Sequence, residues 1–139
     1  MTPTQIDLVQ SSYDKILPIS DEAAALFYSR LFHLDPTLRP LFGGDMRQQG
    51  KKLMDMISVA VRSLATLERI VPAVRALGQR HVAYGVHGRH YDTVGAALLW
   101  TLEQGLGEGF TPAVRDAWTN AYGTLSGAMI AAAGQNTTA

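Results

Sequence analysis

Residues 27–42 read FYSRLFHLDPTLRPLF, and the change of rhythm inside this stretch decides the fold class. Phe27, Tyr28, Leu31 and Phe32 recur at helical spacing and predict one inward face of a helix. Asp35 onward reads as a short tight turn of helix, because Pro36 suits a first helical position and Pro40 limits how far the segment runs. Upstream, Ser20 is the expected cap of the same helix, with acids in its first turn and Ala24 on the inward face. Before it, TPTQIDLVQSSYDKIL opens with Thr2 as N-cap and Pro3 in the first turn, carries Ile6, Val9, Tyr13, Ile16 and Leu17 on one stripe, and stops at Pro18.

The same period continues downstream. From Met46 to Leu64, Leu53, Met56, Ile57, Ala60, Val61 and Leu64 recur at three and four, with Lys51, Lys52, Asp55 and Arg62 outward. A helix over about 67–83 puts Ile70, Val74, Leu77 and His81 on one line, and Gly85 and Gly88 break it. HYDTVGAALLWTLEQGLG is a strongly apolar helix, and TPAVRDAWTNAYGTLSGAMIAAA is the last, capped by Thr111, before a frayed tail over 134–139. No alternating run of branched residues argues for a strand. One all-α domain over residues 1–139 accounts for the chain.

Composition narrows the function. Hydrophobic residues make up 47% and charged ones 17%, too apolar for a disordered chain. Lys+Arg 12 and Asp+Glu 12 cancel, so there is no basic stripe for a nucleic acid and no polybasic arm for a membrane surface. The absence of cysteine excludes disulfides and thiolate metal sites and fits a reducing compartment. With neither a signal-peptide pattern at MTPTQIDLVQ nor a membrane-length apolar run, the expected location is cytoplasmic.

His81, His87 and His90 fall within ten residues, yet they make a poor zinc site. The Gly85 break separates His81 from His87, Asp92 is the one nearby carboxylate, and the spacing matches no zinc pattern. His87 and His90 read as loop or helix-start residues. His81 alone continues an apolar stripe, where a histidine is more often a satisfied core residue than a ligand. The remaining chain offers it a counterpart: Gln49 lies in line with Leu53, Met56 and Ile57, and Phe27, Tyr28 and Phe42 supply aromatic surface. One histidine, one amide, one phenol and many apolar groups suit a large flat apolar cofactor held by one axial nitrogen.

Taken together, FYSRLFHLDPTLRPLF, LGQRHVAYGVHGRHYDTVGAALL and FTPAVRDAWTNAYG resemble the globin family, over essentially the whole span from Ile6 to Met129. The nearest patterns are bacterial single-domain globins, the flavohaemoglobin haem domain and neuroglobin-like chains. The resemblance implies a globin fold, three-over-three helices around haem b. It implies His81 as the iron ligand and Tyr28 and Gln49 on the opposite, distal side. It further implies Phe42, Leu53, Ile57, Leu77, Val86, Tyr91 and Val94 as residues against the cofactor, with Lys52 near a propionate. Met54 and Met56 read as core filler, and Trp100, Trp118 and Tyr122 as helix-packing residues.

The function so implied is reversible, high-affinity oxygen binding for storage, delivery or scavenging, with carbon monoxide and nitric oxide as further gaseous ligands. The alternatives are a nitric oxide dioxygenase served by a separate reductase, and a haem gas sensor. One departure weighs against the dioxygenase: where flavohaemoglobin-like chains pair the tyrosine matching Tyr91 with a glutamate on the last helix, this chain has Ala133. An amide at Gln49 is a poor iron ligand, so no bis-histidine state is expected.

Overall fold

Thr2 and Gln5 open the first helix by satisfying each other. The Thr2 hydroxyl accepts from the Gln5 amide at 3.1 Å, and the Gln5 side chain accepts from the Thr2 amide at 3.2 Å. The computed structural model describes residues 2–42, 45–69, 72–76 and 88–137. Helix α1 spans Pro3–Ile16, α2 Ser20–Leu34, α3 Met46–Arg62, α4 residues 72–76, α5 Gly88–Leu106 and α6 Pro112–Thr137. Short 3-10 turns at Leu17–Ile19, Pro36–Leu41, Leu64–Arg69 and Gly107–Gly109 join them, and there is no strand among the described residues.

Several helix ends follow the residues that predict them. Asp35 accepts from the Thr37 amide to start the Pro36 turn, Asp45 accepts from the Arg47 amide to start α3, and Thr111 accepts from the Val114 amide to start α6. Two boundaries differ from expectation. Ser20 is not a cap: the Pro18 turn runs directly into α2, so Ser20 already has helical angles (φ −58, ψ −39) and Ile19 holds the cap position without a side-chain bond. Helix α3 stops at Arg62, and the backbone leaves helical angles at Thr66 (φ −137, ψ 45), although Leu64 is buried as expected. Helix α6 runs to Thr137. Ala131, Ala132 and Ala133 feed that end with the best helix formers, and propagation costs far less than nucleation.

Two apolar clusters organise the packing. One joins Val9, Tyr13 and Ile16 of α1 to Val114, Ala117, Trp118 and Ala121 of α6, with Val61, Leu64 and Leu102. The Trp118 indole N–H donates to the Ser12 hydroxyl at 2.9 Å, and the Tyr13 hydroxyl lies 2.7 Å from that of Ser58. The second cluster, Phe27, Tyr28, Leu31, Leu38 and Ala97, lies where α2 meets α3 and α5. Two glycines let helices approach closely: a Cβ at Gly50 would lie 3.0 Å from the Ala24 Cβ, and one at Gly95 would lie 2.9 Å from the Tyr122 ring.

Candidate functional site

The Gly50–Ala24 crossing places the next turn of α2 against the start of α3, and there Tyr28 meets Gln49. The Tyr28 hydroxyl donates to the Gln49 backbone carbonyl at 3.4 Å, a long and therefore weak bond that leaves the hydroxyl free to re-aim. Burial pushes the Tyr28 phenol up to about 12, so it stays a protonated donor at neutral pH. Its ring is clamped by three others: Phe27 at 5.1 Å and Phe42 at 5.4 Å edge-on, and Phe32 stacked at 6.0 Å. Phe42 is held in turn by Phe32 at 5.5 Å and by the Arg39 guanidinium, which donates to its carbonyl at 3.1 Å.

Of the residues expected at the site, Tyr28, Phe42, Gln49, Leu53 and Val94 come together around this cluster. Ile57 packs instead against the α1–α6 cluster, and Lys52 is exposed. Leu77, His81, Val86 and His87 lie outside the described residues. Sequence reasoning passed over Met46 and Leu98, which also pack here. The signal was present, since Leu98 follows Val94 by one helical turn and Met46 precedes Gln49 by three residues. Met54 packs on the core as expected, but Met56 is 39% exposed and fills nothing. Its place on α3 is one turn beyond Lys52, on the outer side.

Tyr91 and His90 lie at the start of α5, outside the Tyr28 cluster. His90, expected in the connection or at a helix start, is buried in the first turn of α5. Tyr91 is buried too, and its carbonyl accepts a 2.6 Å bond from the hydroxyl of Tyr122, read from sequence as packing alone. Burial raises both phenols above their ordinary value, and for Tyr122 the neighbouring Tyr91 and Asp92 add to it.

These residues fit one face of a flat apolar group. Helices α3 and α5 both lean on α2 but barely touch each other, and the walls they present are the half-buried apolar side chains Met46, Leu53, Val94 and Leu98. The Tyr28 hydroxyl stands beside that wall, on the backbone carbonyl of half-buried Gln49. Among the described residues there is no group of three metal-ligating side chains, and no helix is long and apolar enough to cross a membrane.

Comparison with known proteins agrees with this geometry. The family model described as Globin matches residues 25–129. The chain is 29% identical over 130 residues to a flavohemoprotein of Bacillus subtilis, covering 90% of this chain and 32% of that one, so it spans about a third of that relative. It is 29% identical over 143 residues to neuroglobin-1 of Oncorhynchus mykiss, covering 93% and 90%. A bacterial globin structure from Campylobacter jejuni superposes with a TM-score of 0.87 at 26% identity, covering 99% of this chain and 100% of that one.

Proposed function

This chain belongs to the globin family, and on that premise we propose that it binds haem and holds dioxygen reversibly and tightly beside Tyr28 and Gln49. Haem, when bound, would supply an iron able to take up a diatomic gas. The chain's residues do the rest. His81 would hold the iron, Phe42, Leu53 and Val94 would pack against the haem, and Tyr28 and Gln49 would donate to a bound gas that carries partial negative charge. With no cysteine to form a thioether, the haem is held without covalent links, as b-type.

The observation that carries the reading is a protonated, buried Tyr28 set on the backbone of Gln49 beside the apolar cluster of α2, α3 and α5. Hydrogen bonds to charged groups contribute about 1.5–3 kcal/mol, and about 1.4 kcal/mol is tenfold in affinity. Two donors therefore slow ligand loss, and carbon monoxide, being less polar, gains less. The electrons that keep the iron ferrous come, on this reading, from a reductase.

Absorption spectra of the ferric, deoxy and gas-saturated protein test the proposal. The expected result is a Soret band with a five-coordinate deoxy form, lost in His81→Ala. A six-coordinate low-spin deoxy spectrum would sink it. Steady nitrate production over many turnovers with a reductase supplied would instead identify a nitric oxide dioxygenase.

A further inference from the structure

Helix α3 turns Gln49 and Leu53 toward the candidate site and carries a different chemistry outside. Arg47, Lys51, Lys52 and Arg62 are all exposed there, against one acid within the helix, Asp55. The chain as a whole balances 12 Lys+Arg with 12 Asp+Glu, so the excess is local. Among the described residues, none of these four bases is tied into an ion pair. Met56 and Val59, 39% and 56% exposed, stand beside them, and only Leu34 joins them as an exposed large hydrophobic among the described residues. Gln49, Lys52, Met56 and Val59 follow one another at intervals of three, four and three. They form one line along the helix, which runs from the lip of the crevice onto the outer face.

We propose that this face of α3 docks an acidic protein carrying a reduced flavin, the electron donor that the gas-binding reading calls for and on which this inference rests. An apolar pair beside like charges suits a transient partner: the bases steer and orient it, while Met56 and Val59 are the surface that loses water on contact. The excess of bases over acids selects an acidic surface and rejects a basic one. The position beside Gln49 brings the partner to the edge of the site. One electron passes: the flavin is oxidised by one, ferric iron is reduced to ferrous, and no covalent bond changes.

The experiment titrates the isotope-labelled chain with a flavodoxin, an acidic protein with an exposed flavin, and follows amide shifts at low salt. The expected result is a set of shifts along α3 that weakens as salt is raised. Lys51→Glu with Arg62→Glu, and separately Val59→Asp, should each weaken binding roughly tenfold, while Arg115→Glu on α6 leaves it unchanged. Lys52 is left intact because it is a candidate cofactor residue. Circular dichroism checks the fold, and Val59→Asp carries the test if the double variant unfolds. No binding, shifts centred on another helix, an equal loss in Arg115→Glu, or preference for phosphatidylserine vesicles overturns the proposal. The Soret band is read in the same samples. Docking without haem uptake removes the gas-binding reading alone, and haem uptake with slow gas release but no docking removes the surface alone.

Discussion

Tyr28 shows how one residue's environment decides its role. A tyrosine at a helix face is by default a packing residue, and its ring does pack, against three other aromatic rings. Its hydroxyl, however, reaches only a carbonyl 3.4 Å away, so removing it costs the fold little. Tyr28→Phe should therefore leave thermal stability nearly unchanged and, on the proposed function, speed oxygen release about ten- to hundredfold, measured by stopped-flow ligand replacement. Tyr122→Phe should do the reverse. It removes a 2.6 Å bond to the Tyr91 carbonyl, costing about 1–2 kcal/mol in denaturant unfolding with little change in gas release. The stripes of the sequence placed Tyr28 and Gln49 inward. The Tyr122–Tyr91 bond was not legible there, because it joins residues 31 apart through a backbone carbonyl that no pattern of side chains reports.

At the scale of the helix, patterns that repeat within one turn or one cap were readable, and patterns that depend on a neighbouring element were not. Thr2, Asp35 and Thr111 cap because they bond to their own helix, whereas Ser20 fails to cap because the Pro18 turn before it is already helical. Met56 recurs with Leu53 and Ile57 at helical spacing, which predicted core, but falls on the outer side of α3. Gly95 belongs to the same class of hidden constraint. Nothing in its local sequence demands glycine, yet a Cβ there would sit 2.9 Å from the Tyr122 ring. Gly95→Ala should destabilise the protein by about 1–3 kcal/mol through forced separation of α5 and α6, despite alanine's better helix propensity. A gain in melting temperature would show that the ring yields at little cost.

The whole molecule adds a response that no single helix has. Burial, the leading cause in each case, raises the phenols of Tyr13, Tyr28, Tyr91 and Tyr122 above their ordinary value of 10.0, with Tyr28 pushed up to about 12. In the unfolded chain the same groups ionise near 10, so the native state binds more protons above that pH. Their contribution to stability is fully present below pH 10 and is lost as pH rises toward and through 12. Denaturant midpoints measured across that window should fall steadily, and tyrosinate absorbance of the native protein should lag behind that of a denatured sample. A midpoint flat through pH 12 would contradict the burial. Such coupling was invisible in the sequence because it arises only when α1, α2, α5 and α6 close over one another.

The Gly50–Ala24 crossing acts on that scale in a further way. The contact is already at 3.0 Å for an added methyl, so the thickness of one side chain sets the gap between α2 and α3. It works as a shim: Gly50→Ala would change the span between the Tyr28 hydroxyl and Gln49 without altering either donor. On the proposed function, gas residence time is then adjustable from a position beside the Tyr28–Gln49 contact, one methyl at a time.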